Sequence, residues 1–438
     1  MNGPRQSASF EIFDIELFKK QLLHWSIQFD HVCWLDSNSH DETYNSYDAI
    51  MAADSASVLE CPVVNAFQNL SDYRSKCNDW IFGYLSYDLK NDIEELHSQN
   101  YDGPNFPDMF FFQPRRLVSI SGNKVTFSYL DEIADEIQKD LNTICKWPLM
   151  TDHHMKNNVK IKLRTHKDEY FHKVDQILSH IHRGDIYEVN FCQEFYAEET
   201  TINPIYTYQN LNRISRPPFA TFLRNNDHYL LSASPERFLK KEGSKVISQP
   251  IKGTAKRSEN KDEDEALKQK LAKDPKERSE NIMIVDLVRN DLSRVAVKGS
   301  VQVDELCKVY TFDQVHQMIS TVVGEVQQDV DPVDIIRSCF PMGSMTGAPK
   351  ISAMKIIEEL EDAKRGLYSG AVGYFSPNGD FDFNVVIRSI LYHQTNQYIS
   401  YSVGGAITAR SIPVSEYEEC LVKAKAMRMV LDENLNDK

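Results

Sequence analysis

Pro250-Ile251-Lys252-Gly253-Thr254 sets a lone lysine at the end of a β-prone run, Val246 to Ile251. Upstream lie an apolar run, Tyr229 to Ala233, the segment Ser234-Pro235-Glu236-Arg237-Phe238, and a polar turn, Lys241-Glu242-Gly243-Ser244. Two β-prone runs around a glycine-containing turn predict a β-hairpin. Glu236 and Lys252 each stand just beyond a proline, where ladder pairing stops, so both fall at one end of that hairpin. A carboxyl group and an amine then face one pocket, a pairing suited to acid-assisted nucleophilic chemistry.

The rest of the chain can support an enzyme of some size. Its 438 residues, 41% hydrophobic and 11% aromatic, suffice for one large core or two domains. A formal charge of −15 argues against nucleic-acid binding, which needs a basic face to displace counterions. Eight cysteines lack a paired C-x-x-C framework, and the N-terminus has no basic segment followed by an apolar one. Both features point to a reduced, cytoplasmic setting. No run of about 18 apolar residues predicts a membrane span.

Several segments carry candidate chemistry. From Glu11 to Phe29 the apolar spacing predicts a helix, and Val32 to Leu35 a short strand. Trp80, Phe82, Tyr84, Leu85 and Tyr87 form an aromatic patch suited to core packing. A helix over Asp168–His182, stopped at Arg183-Gly184, precedes a strand from Ile186 to Phe195 that carries Glu188, by itself a solvated strand-edge residue. The charged stretch from Ser258 to Lys273 reads as a solvated helix or loop. Asp274 and Pro275 match an N-cap and first helical residue; Glu277 stands where a capping-box carboxylate would, and Glu280 lies one turn on. Gly343, Ser344, Thr346 and Gly347 make a small-residue loop before a helix through Ala353, Ile356 and Leu360. Such a loop brings backbone N–H groups and the Thr346 hydroxyl close to an anion. Tyr374 to Tyr392 predicts a hairpin across Asn378-Gly379 with Arg388, a planar fork matched to carboxylates, near the end of its second strand. Tyr398 to Val403 runs into Gly404, Gly405 and Ala406, where missing or small side chains let backbone donors approach a ligand. A last helix, with a Ser415/Glu418 capping box, puts Glu416, Glu419 and Lys423 on one face, by spacing alone a surface salt-bridge trio. The adjacent His153 and His154 point apart and lack a third ligand, and a lone His316 reads as a satisfied core residue.

Taken together, Ser234–Phe238, Pro250–Thr254, Glu280–Leu292, Pro341–Lys350, Val385–Arg388 and Gly404–Lys423 resemble the chorismate-utilising enzymes, over roughly residue 160 to the end. The resemblance implies an α+β fold of two face-packed antiparallel β-sheets flanked by helices. Residues 1–155 would be an N-terminal region contributing strands and helices to that fold, and 156–438 the chorismate-binding catalytic region. Lysine in the third position of Pro-Ile-x-Gly-Thr points to the para-aminobenzoate branch, the aminodeoxychorismate synthases. Anthranilate synthases and isochorismate or salicylate synthases usually carry alanine there.

For the site, the resemblance makes Lys252 the nucleophile at C2 and Glu236 the acid for the departing C4 hydroxyl. Glu277, Glu280, Glu416 and Glu419 become ligands of a Mg2+ ion that holds the ring carboxylate. His316, Thr346, Arg388, Gly404, Gly405, Ala406, Lys423 and Glu188 become substrate contacts. Glu188 stands where aminating relatives carry glutamine, Met342 and Ala406 where they carry glycine, and Trp34-Leu35-Asp36-Ser37 where tryptophan-regulated relatives carry Leu-Leu-Glu-Ser, which argues against tryptophan feedback. With no recognisable glutaminase half, ammonia is expected from a glutamine amidotransferase subunit. The competing readings are an anthranilate synthase component I, which Lys252 opposes, and a non-catalytic chorismate-binding subunit, which the retained acidic and basic residues oppose.

Overall fold

The computed structural model describes residues 4–40, 44–149 and 157–432. His153, His154 and the expected boundary at residues 155 and 156 lie outside the described residues.

Two long strands, Ala49–Cys61 and Met109–Ser121, pair antiparallel and organise the chain. Their register shifts between Ser55 and Ser57, next to Asp54 at φ +61°. Bulges of this kind bend a strand pair and increase its twist. Each strand therefore serves two sheets. One half joins Arg5–Glu11, Lys124–Leu130, His31–Asp36, Phe219–Asn225, His228–Ser234, Ser389–His393, Tyr398–Thr408 and Glu188–Ala197 into a first antiparallel sheet. The other half leads through Ile81–Leu85, Ala371–Phe375, Phe381–Val385, Arg237–Glu242 and Lys245–Gln249 to Val315–Glu325 in the second. Ile251–Lys256 continues along the same edge of Val315–Glu325, and Gln302–Thr311 takes the opposite edge.

The sheets pack face to face. Cys33, Ile50, Leu223, Leu230 and Leu391 of the first meet Phe82, Tyr84, Phe112, Val372 and Tyr374 of the second in one buried cluster. Helices Ile15–Ser26, Lys167–Arg183, Pro204–Ser215 and Pro413–Leu431 cover the outer face of the first sheet. Ala66–Cys77, Pro275–Ser293 and Pro332–Cys339 cover the second. This is the expected α+β arrangement, with Trp80, Phe82 and Tyr84 of the aromatic patch in the inter-sheet core and Leu85 on the opposite face. Strands from 1–155 pair directly with strands from 156–438, His31–Asp36 with Phe219–Asn225 and Ile81–Leu85 with Ala371–Phe375. Among the described residues no helix is long and apolar enough to cross a membrane.

Some local readings need correction. The strand that pairs with Lys245–Gln249 is Arg237–Glu242, turning at Gly243 (φ +60°); Tyr229–Ala233 belongs to the preceding strand, in the other sheet. The chain crosses between sheets at Pro235-Glu236, which short-range periodicity cannot show. Arg5–Glu11 is a strand that sequence reasoning missed; its pattern is too polar to stand out. The last helix starts at Pro413 with Ile412 as N-cap and no side-chain cap, so Ser415/Glu418 is no capping box.

Candidate active site

Glu236 sits where the chain passes from one sheet to the other. Its N–H donates to Ser234 Oγ (3.3 Å), its carbonyl accepts from the Val385 N–H (3.0 Å), and Ser344 Oγ donates to its Oε1 (2.6 Å). Only 5% of the residue is exposed. Burial pushes its carboxyl up to about 7, against the Ser344 hydroxyl and the Lys252 charge, which favour the ionised form. The shift runs toward the protonated form that an acid for a departing hydroxyl needs.

Lys252 enters the same region through a bulge. The register against Val315–Glu325 shifts between Ile251 and Thr254, and Gly253 takes φ +94°, a conformation that glycine adopts without strain. Lys252 Nζ donates to Glu188 Oε1 at 3.0 Å. Glu188 is 1% exposed, opens the strand Glu188–Ala197 opposite Ala348, and keeps its Oε2 buried without a hydrogen-bond partner. It is thus a buried counter-ion, in contrast to the solvated strand-edge residue that spacing alone predicts. Burial alone would lower the Lys252 pKa, but Glu188, Glu280 and Glu236 outweigh it and hold the ammonium above the ordinary lysine range. The carboxyl is shifted as the expected chemistry needs, and the amine in the opposite direction.

Helices Pro275–Ser293 and Pro413–Leu431 bring the four expected metal carboxylates together. Asp274 caps the first through the N–H groups of Lys276 (2.9 Å) and Glu277 (3.1 Å), as its sequence predicts. The Glu277 carboxylate lies against Gly253, where an added Cβ would come within 3.0 Å of Oε2. Glu416 Oε2 and Glu419 Oε1 lie 3.5 and 3.8 Å from the corresponding point on Gly405. Glu280 Oε1 is buried with no hydrogen bond, only Lys276 Nζ at 3.9 Å, and burial raises its carboxyl to about 7. Burial, with Glu419 adding repulsion, also raises Glu277 and Glu416, whereas Lys423 overrides burial and lowers Glu419. No three of these carboxylates bring oxygens within 4.8 Å of one another. An all-oxygen set with an orphaned, buried donor and room between its members fits a hard cation that keeps water and admits a substrate oxygen. Lys276, whose ammonium all four carboxylates hold above its ordinary pKa against burial, was missed from sequence; the acidic neighbours it answers are spread over two helices.

The remaining predicted contacts divide. Arg388 lies at the bend between Phe381–Val385 and Ser389–His393, at φ +52°, and not within a strand. Among the described residues its guanidinium has no hydrogen bond or ion pair, and burial lowers its pKa. An unanswered, partly buried fork is a site for a carboxylate. Tyr398–Thr408 pairs with Glu188–Ala197 throughout but with Ser389–His393 only as far as Ser400, so Val403 to Ala406 keep one open edge. Gly404 owes its residue type to packing as well: a Cβ there would meet Cys192 Sγ at 2.4 Å. Lys423 Nζ is already engaged, by Gly404 O (2.8 Å) and Glu419 Oε1 (2.7 Å). Thr346 turns its hydroxyl to Met342 O and Gly343 O, and the loop reaches the site through Ser344, a contact that its small-residue composition permits but does not identify. His316 has both ring nitrogens engaged, Nδ1 with Thr311 Oγ1 and Nε2 with Asp264 Oδ1, each at 3.0 Å. It is the satisfied histidine of the plainer reading.

Comparison with known proteins identifies the family. The profile of the chorismate binding enzyme family matches residues 28–429. An aminodeoxychorismate synthase of Streptomyces griseus is 45% identical over 274 residues, 62% of this chain and 37% of that protein; the chain thus spans little more than a third of that relative. An aminodeoxychorismate synthase component 1 of Bacillus subtilis is 34% identical over 80% of this chain and 76% of its own length. The solved anthranilate synthase component I of Streptococcus pneumoniae superposes with a TM-score of 0.76 at 28% identity, covering 89% of this chain and 94% of that one. With the family profile matched over residues 28–429, nearly its whole length, the chain belongs to the chorismate binding enzymes.

Proposed function

We propose that the chain is component I of an aminodeoxychorismate synthase, converting chorismate and ammonia to 4-amino-4-deoxychorismate for para-aminobenzoate and folate synthesis. The observation that carries this reading is Lys252 on its bulge, set in one electrostatic cluster with Glu236, a carboxyl raised to about 7. An aminating enzyme that works directly at C2 has no use for a nucleophile there.

Lys252 starts as an ammonium ion, and Glu188, 3.0 Å away, is the group placed to take its proton. The freed amine forms a C–N bond at C2 while the ring double bonds shift and the C4–O bond breaks; Glu236 gives its proton to the departing hydroxyl, which leaves as water. Ammonia then forms the C4–N bond, the double bonds shift back, and the C2–N bond to Lys252 breaks. The proton balance closes as the ammonia nitrogen sheds a proton to carboxylate Glu236 and Glu188 returns its proton to the released Lys252 amine. Arg388 binds a substrate carboxylate. Glu277, Glu280, Glu416 and Glu419 would hold Mg2+, which when bound fixes the ring carboxylate and stabilises charge building there. Ammonia comes from glutamine through a separate amidotransferase subunit. Eight unpaired thiols support a cytoplasmic site of action.

Product identification tests this. Chorismate, Mg2+ and ammonium at alkaline pH should give the 4-amino product from the chain alone, and glutamine should replace ammonium only when the partner is added. A 2-amino product or anthranilate would make the chain an anthranilate synthase component, and no product would make it a binding subunit.

A further inference from the structure

At the end of the first sheet away from Glu236, three side chains converge that the chorismate chemistry does not use. Asp227 lies in the turn between Phe219–Asn225 and His228–Ser234, His228 follows it, and His393 ends the neighbouring strand. Asp227 Oδ1 is 3.1 Å from His228 Nδ1, and Asp227 Oδ2 is 3.2 Å from His393 Nε2. One ligand atom from each lies within 4.8 Å of the others. The outer ring nitrogens are also committed: His228 Nε2 meets Asn105 O at 3.0 Å, and His393 Nδ1 meets Pro104 O at 3.1 Å.

A carbonyl oxygen only accepts, so both outer nitrogens carry the proton. In neutral imidazoles the inner nitrogens are then lone pairs, and both face the Asp227 carboxylate, which has only lone pairs to offer. Something positive must stand between them. Two extra protons would place two imidazolium rings with centroids 3.9 Å apart and planes inclined by 30°, like charges nearly stacked. One shared cation answers all three groups at once. Donating the outer N–H to a backbone carbonyl is also how metal-binding histidines are held in one tautomer and orientation.

We propose that Asp227, His228 and His393 bind a divalent transition-metal ion of the zinc class, in a site separate from the glutamate ring. Two imidazole nitrogens and one carboxylate suit such an ion better than Mg2+, which prefers an all-oxygen shell. Half-exposed Asp227 leaves a path to solvent and a position for water. Because the rings hang from Pro104 O and Asn105 O, the ion ties the connection before Met109–Ser121 to the first sheet. Its role is to staple the N-terminal region to the catalytic one.

The test uses the full chain, freed of metal by dialysis against chelator and then kept in excess Mg2+. Titration with Zn2+ or Co2+ should show one equivalent bound, a visible d–d absorption for Co2+, and a rise in melting temperature with metal concentration. His228→Ala and Asp227→Asn alter partly exposed groups at a turn and should fold, yet bind at least about tenfold more weakly, since even outer-shell partners are worth that much. Glu280→Gln should keep the Co2+ signal. No stoichiometric binding by the wild-type chain, or unchanged affinity in both His228→Ala and Asp227→Asn, would mean that protons hold the cluster, and would overturn the proposal.

Discussion

Glu236 carries a consequence for stability that can be measured without substrate. Its carboxyl titrates at about 7 in the folded chain against an ordinary 4.5. The unfolded chain therefore releases this proton first, and folding stability falls as pH rises from about 4.5 to 7, by roughly 3 kcal/mol in all. Glu236→Gln has no such loss. Its melting temperature should exceed that of the wild type at pH 8 and match it near pH 4, while its 4-amino product formation collapses. Equal melting temperatures at pH 8 would show that the carboxyl is not held neutral by burial. Lys252 calls for a paired experiment. Lys252→Ala leaves Glu188 a buried carboxylate without its counter-ion and should cost about 3–5 kcal/mol. Adding Glu188→Gln should recover most of that stability in chemical denaturation but none of the product. The sequence made Glu236 and Lys252 legible because each follows a proline at a strand end. Their partners Glu188 and Ser344 were not legible as partners, since 64 residues separate Lys252 from Glu188 and 108 separate Glu236 from Ser344.

In the proposed Mg2+ site two helices share the carboxylates. Pro275–Ser293 and Pro413–Leu431 each supply two carboxylates, so the ring exists only when both are docked. Without a metal, the half-exposed Lys276 offsets part of the repulsion. Glu280→Gln should therefore fold at least as stably as the wild type in chelator, yet lose the stabilisation that Mg2+ gives the wild type, along with nearly all activity. A Mg2+-dependent rise in melting temperature retained in that variant would remove Glu280 from the ligand set. The helices were legible through Asp274-Pro275 and their apolar spacing, and Glu280 because capping left it unexplained. Arg388 was placed in a strand because apolar residues continue on both sides of it; the left-handed bend that turns it out is a tertiary demand with no glycine to announce it.

At the scale of the molecule, strands from before and after the expected boundary are neighbours in both sheets. Strands Phe219–Asn225 and Ala371–Phe375 have their edges covered by His31–Asp36 and Ile81–Leu85. A chain beginning at residue 157 should expose both edges and be aggregated or molten, without a cooperative thermal transition; a monomer with native-like near-ultraviolet dichroism would contradict this. The expectation of one shared fold came from resemblance, because the pattern of short strands cannot reveal which distant pairs meet. The bent pair Ala49–Cys61 and Met109–Ser121 also sets a schedule. It is complete early in synthesis, but Ile81–Leu85 beside it waits about 290 residues for Ala371–Phe375. At roughly 5–20 residues per second that is a delay of some tens of seconds. For that interval a five-residue apolar strand that is entirely buried in the finished protein has one edge open on the ribosome, where its most available partner is the same strand of a neighbouring nascent chain.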